Sequence, residues 1–194
     1  TEYNLTYEEL IDMMIAHGID SMPGGGAEIF NEDVRKRICG GKVTSQQWLD
    51  IHKLWHEKGR KSNATMLFGH IETREHRVDH ILRLRDLQDI TGGFNAFIPL
   101  VFQTENNYLK VKEPVTANEI LKTYAVSRIL LDNIPNIKAY WATSTVKLAL
   151  IAQEFGANDI DGTIDDIFPQ ISEDKKQEIE SIIDKVNGYI LDTS

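Results

Sequence analysis

Two apolar stretches near the middle of the chain, residues 65–68 and 96–102, each break abruptly into polar residues. Gly69, His70 and Glu72 follow the first; Gln103, Thr104, Glu105 and Asn106 follow the second. Between them Val78, Ile81, Leu82, Leu84 and Leu87 recur at the three-and-four spacing of a helix, which Gly92 and Gly93 close. A buried strand that ends in polar residues and feeds a helix is the repeating unit of a parallel sheet, whose site gathers at the carboxyl ends of the strands.

The same alternation runs along the rest of the chain. Thr6 and Glu9 form a capping-box pattern ahead of Leu10, Ile11, Met14 and Ile15, which predicts an amphipathic helix ending at Gly18. Strand and loop follow at 19–26, then helical patterns at 32–39 and 45–58, the second stopped by Gly59. Strands are predicted at 64–68, 96–102, 137–141 and 157–160, with helices at 74–90, 117–132, 143–155 and 173–191. No repeat or Pro/Ser-rich linker interrupts this order, so residues 1–165 read as one unit and 166–194 as a helical tail.

Four to five parallel strands with crossover helices fit an open doubly wound α/β sheet or part of a closed TIM-type (β/α) barrel. Polar residues after every strand in turn, and Pro99 inside one of them, where a missing backbone donor is usually tolerated at an edge or bulge, favour a barrel arc. A full barrel takes about 200–250 residues, and the chain holds roughly half of the strands. An arc of this kind leaves open edges and an uncovered inner face, so self-association or only marginal stability is expected.

Composition narrows the function. The chain has 194 residues, 30 acidic against 21 basic, for a net charge of -9, so a broad phosphate-tracking surface for nucleic acid is not expected. A lone cysteine, Cys39, makes no internal disulfide and fits a cytoplasmic setting. No apolar run is long enough for a membrane span and no secretory leader is visible. A chain starting at Thr1 reads as a piece of something longer.

The strings PGGGAEIF (23–30), NATMLFGHIETREHRVDHILRLRDLQDITGGFNAFIPLVFQTENN (63–107), IKAYWAT (137–143) and GANDIDGT (156–163) closely resemble the aminofutalosine synthase family. These are radical S-adenosylmethionine enzymes of the futalosine route to menaquinone. The resemblance covers residues 1 to 165 and implies the carboxyl-terminal half of the barrel. Its sister enzymes, the dehypoxanthine futalosine cyclase and the deazaflavin-precursor synthase, carry variations on the same strings, and a cluster-free nucleoside-binding α/β module is the reading outside the class. In the family a 4Fe-4S cluster reduces S-adenosylmethionine, the 5'-deoxyadenosyl radical adds to the enol ether of 3-[(1-carboxyvinyl)oxy]benzoate, and rearrangement with loss of the carboxyl group gives 6-amino-6-deoxyfutalosine. The cluster loop, C-x3-C-x2-C, has no counterpart here, so the chain alone is expected to bind no cluster and to be inactive.

The resemblance implies roles for particular residues. Gly25, Gly26 and Glu28 would approach the cofactor, as would Gly69 and Glu72, with His70 the protonic group. A flexible turn, a helix-capping acid and a helix-capping imidazole are the plainer readings. Gln103, Asn106, Trp141, Asn158, Asp159 and Asp161 fall at strand ends as candidate substrate contacts. Asp159 and Asp161 share a face by strand periodicity, which makes a paired-carboxylate glycosidase only a poor second choice. The pairs His52/His56 and His76/His80 are spaced i, i+4, but neither has a third ligand in sight, so no metal site is assigned. Trp48, Ile51, Leu54 and Trp55 read as a core stripe, and His76 and His80 as part of a solvated face.

Overall fold

The computed structural model describes residues 5–161; the tail at 166–194, with its expected helix, lies outside the described residues. Five strands run parallel: β1 (Ser21–Met22), β2 (Lys61–Phe68), β3 (Phe94–Val101), β4 (Asn136–Tyr140) and β5 (Asp159–Asp161). They stand side by side in sequence order. A doubly wound sheet reverses its strand order at a switch point; the described strands never do, so the sheet is an arc of a (β/α) barrel. Helices α1 (Tyr7–Ala16), α2 (Glu32–Cys39), α3 (Ser45–Glu57), α4 (Arg74–Thr91), α5 (Ala117–Leu130) and α6 (Val146–Gln153) precede or connect the strands.

Local chemistry sets the helix boundaries. Thr6 and Glu9 cap α1 reciprocally, Thr44 and Gln47 cap α3, and Thr73 and His76 cap α4, each pair satisfying amides that a first turn leaves without partners. Gly92 ends α4 in the left-handed region at φ 57°, where a β-carbon would be strained.

β2 shows how the sheet divides its faces. Ser62, Ala64, Met66 and Phe68 are fully buried, and the three apolar ones pack in one core with Ile81 and Leu84 of α4. Asn63, Thr65 and Leu67 alternate with them on the inner face of the arc and are only half-buried. Burying a Phe or Met side chain contributes about 1.5–3 kcal/mol, so this helix-facing core is what holds the arc together.

Three expectations change. Pro99 lies in the central strand, not at an edge; the register pairs of β3 with β4, Ala96–Asn136 and Phe97–Ile137, both precede it. In α3, Trp48 and Trp55 are buried as expected, but Ile51 and Leu54 are half-buried and the buried face is completed by Ser45, Leu49, His52 and His56. In α4, neither histidine lies on a solvated face: His76 is half-buried, and His80 is 0% exposed, stacks on Phe30 with ring centroids 3.8 Å apart, and its Nε2 lies 3.0 Å from the Thr65 carbonyl. A neutral imidazole that meets one strand carbonyl packs as an aromatic ring, and burial pushes its pKa down to about 3.

Candidate active site

Three loops meet beyond the carboxyl ends of β1, β2 and β3. In the first, Gly24 lies against β2 so closely that a β-carbon would sit 2.7 Å from the Asn63 carbonyl oxygen. Every carbonyl from Gly24 to Ile29 is engaged. Thr65 Oγ1 donates to Gly24 at 2.6 Å, Trp48 Nε1 to Gly25 at 3.1 Å, and the Leu67 amide to Glu28 at 2.7 Å. The buried guanidinium of Arg35 takes the carbonyls of Gly26 at 3.1 Å, Ile29 at 3.2 Å and also Ala27. Among the described residues, the amides of Gly25, Gly26, Ala27 and Glu28 donate to no protein acceptor. A run of backbone whose carbonyls are spent inward and whose amides are unspent is suited to an electron-rich ligand group. Glu28 stands in this run at φ 47°, a conformation that side chains rarely adopt, and its carboxylate pairs with Lys42.

The second loop is tied to itself. Gly69 turns at φ 91°, packed under Val115. Glu72, its side chain fully buried, accepts from the Gly69 amide at 2.7 Å, the His70 amide at 2.9 Å and Arg77 Nε at 2.7 Å. These donors outweigh burial and hold its pKa below the ordinary carboxylate value. His70 Nε2 lies 3.0 Å from the Leu67 carbonyl and Nδ1 2.8 Å from the Ile71 amide, while Phe102 meets the ring edge-on. Burial lowers the His70 pKa, against the raising effect of Glu72.

The remaining candidates are scattered. Gln103 is exposed, its amide donating to the carbonyls of Val101 and Thr143. Asn106 sits on the exposed β3–α5 loop at φ 51°. Trp141 opens a 3-10 turn after β4 and packs partly against the core. Asp159 and Asp161 do face the same way, with Lys138 Nζ between them at 3.2 and 3.3 Å. Asn158 precedes β5: it bonds the Ile137 amide, the Pro135 carbonyl and Arg128, all at the amino-terminal end of the arc, and so is not gathered with the others. Arg35, Lys42 and Arg77 were not singled out in the sequence. No spacing marks them, because their partners are loop carbonyls and carboxylates that come within reach only once the loops have folded.

The fold and the loops agree with what the chain resembles. The family model described as the radical SAM superfamily matches residues 1–84, and that of the CofH/MqnC C-terminal region matches 91–168. Aminodeoxyfutalosine synthase of Thermus thermophilus is 51% identical over 82% of this chain and 44% of its own length. Cyclic dehypoxanthine futalosine synthase of Streptomyces coelicolor is 40% identical over 80% of the chain and 39% of its own length. The solved structure of methylornithine synthase (PylB) superposes with a TM-score of 0.68 at 13% identity, covering 95% of this chain and 55% of that one. Over residues 1–84 the chain is similar to the radical S-adenosylmethionine superfamily. It is similar over most of its length to aminodeoxyfutalosine synthase, and it spans less than half the length of these curated relatives.

The two cofactors that this superfamily implies fit the chain differently. The four unspent amides beside Glu28 suit the polar groups of S-adenosylmethionine. A 4Fe-4S cluster does not fit: it needs three thiolates, Cys39 is the one cysteine, and burial raises its pKa. Among the described residues no group of three His, Cys, Asp or Glu could hold a metal ion. No described helix is long and apolar enough to cross a membrane.

Proposed function

We propose that this chain is the carboxyl-terminal half of an aminodeoxyfutalosine synthase. The whole enzyme would transfer the 5'-deoxyadenosyl group of S-adenosylmethionine to 3-[(1-carboxyvinyl)oxy]benzoate with release of methionine, and rearrangement with loss of the carboxyl group would give 6-amino-6-deoxyfutalosine. The observation that carries this reading is the 51% identity to such a synthase, joined to a glycine loop with four unspent amides. In the proposed enzyme the cluster, held by another part of the protein, supplies the reducing electron. This chain's residues bind and orient: the amides of Gly25 to Glu28 and the Glu28 carboxylate receive the polar end of the cofactor, and the Gly69–Glu72 turn forms a wall. His70 borders that wall as the protonic group. Asp159, Asp161, Trp141, Gln103 and Asn106 stand around the inner face and rim as candidate substrate contacts.

The second reading, a dehypoxanthine futalosine cyclase, is favoured only by the 40% identity to that sister enzyme. The test is full-length protein, reconstituted anaerobically with iron and sulfide and offered each enzyme's substrate. Conversion of 3-[(1-carboxyvinyl)oxy]benzoate is the expected outcome; conversion of dehypoxanthine futalosine alone would select the sister. The 194-residue chain treated in the same way should release no 5'-deoxyadenosine, because one thiolate cannot replace three. Release by the chain alone would overturn the half-enzyme reading.

A further inference from the structure

His70 has both ring nitrogens on backbone atoms whose roles admit no choice. The Ile71 amide can only donate, 2.8 Å from Nδ1, and the Leu67 carbonyl can only accept, 3.0 Å from Nε2. The ring is therefore held neutral, with its proton on Nε2. Yet Nδ1 also lies 3.0 Å from Glu72 Oε2, with both side chains fully buried. An imidazole lone pair thus faces a carboxylate oxygen, a contact that a proton on Nδ1 would convert into a strong charged hydrogen bond. Burial is the largest influence against that proton, and on the far side of the carboxylate Arg77 Nε sits 2.7 Å from Glu72 Oε1.

We propose that Arg77 is a positioning residue that keeps His70 neutral by neutralising Glu72, so that the Ile71 amide stays closed on Nδ1. Without that counter-charge, the buried carboxylate would draw a proton onto the imidazole. Nδ1 would then be a donor, the Ile71 amide would be expelled from it, and the Gly69–Glu72 turn would open. Arg77 is itself fixed: Nη1 reaches Glu119 Oε1 and Thr123 Oγ1 of α5, each at 3.4 Å, and the guanidinium lies 5.1 Å from the centre of the Phe68 ring. Of the charged groups that face His70, Glu72 and Glu28 favour its protonation and Arg77 opposes it, with burial on the side of Arg77. The inference rests on the proposed function only for the claim that this turn borders a ligand.

The test is a titration of the chain labelled with 15N-histidine, followed by long-range 1H–15N correlation between about pH 5 and 8.5. His70 should show the Nε2–H tautomer at neutral pH in the unsubstituted chain. In Arg77→Gln its proton affinity should rise at least about tenfold, one pH unit, whereas Arg77→Lys, which keeps the charge, should leave it low. Glu72→Gln should produce no rise. A charged or Nδ1–H His70 in the unsubstituted chain, an unchanged midpoint in a folded Arg77→Gln, or a rise in Glu72→Gln would each overturn the proposal. If Arg77→Gln fails to fold, the tautomer and the Glu72→Gln titration still decide. Failure of the full-length protein to convert 3-[(1-carboxyvinyl)oxy]benzoate would sink the functional reading and leave this titration untouched.

Discussion

Gly24 touches β2 backbone to backbone: a β-carbon on it would lie 2.7 Å from the Asn63 carbonyl oxygen and 2.8 Å from the Thr65 amide nitrogen. The atoms in the way belong to the sheet and cannot swing aside. Gly24→Ala should therefore cost about 1–3 kcal/mol of stability, the usual range for overpacking. Gly25, with open space where its β-carbon would be, should accept alanine within about 0.5 kcal/mol. Urea denaturation of both variants checks the pair, and equal losses would mean that the loop does not rest on β2 as described.

Arg35 organises the same loop from below. Its guanidinium is buried and holds the carbonyls of Gly26, Ala27, Ile29 and Val43. Hydrogen bonds to a charged group are each worth about 1.5–3 kcal/mol, so Arg35→Met should lower stability by about 3 kcal/mol or more. Arg37, exposed two residues on, should tolerate the same change within about 0.5 kcal/mol. Matching denaturation midpoints for the two variants would refute this role.

Ser62 Oγ is shared by two buried imidazoles, 2.9 Å from His52 Nδ1 and 2.7 Å from His56 Nε2. Burial pushes the His52 pKa down to about 3 and that of His56 to about 4. The folded chain holds both rings neutral, whereas the unfolded chain binds protons near the ordinary histidine value of about 6.5. Their contribution to stability is thus fully present above about pH 6.5 and is lost as pH falls toward 4 and below. Urea midpoints should fall between about pH 7 and 5, before the carboxylates titrate. Replacing His52, His56 and His80 together should flatten that slope; a slope unchanged by the replacement would assign it elsewhere.

The inner face of the arc leaves alternate residues of β2 to β4 half-buried, and among the described strands β1 and β5 lie at the edges. Unpaired strand edges beside partly apolar surface favour association. Sedimentation should show self-association that grows with protein concentration. A monodisperse monomer over a hundredfold concentration range would count against this expectation.

Much of the fold was legible because it is local. The capping box at Thr6, the apolar stretch of β2 and the stop at Gly92 depend on neighbours within a few residues. The site was legible only as positions on loops. That Asp159 and Asp161 share a face followed from strand periodicity, but that Lys138 lies between them required the register of β4 against β5. Asn158 shows the limit: moving the start of β5 by two residues from the expected 157 to Asp159 places it before the strand rather than within it.

The sequence by itself determined the order of strands and helices, and with it the parallel arc, because hydrophobic periodicity and caps are properties of short segments. Only the tertiary structure decided which charges meet. Arg35 finds the glycine loop, Arg77 finds Glu72 and Glu119, and His80 goes under Phe30, through contacts between residues 5 to 50 positions apart. A buried polar group is set by the geometry of its partner, and that geometry exists only once the sheet has formed.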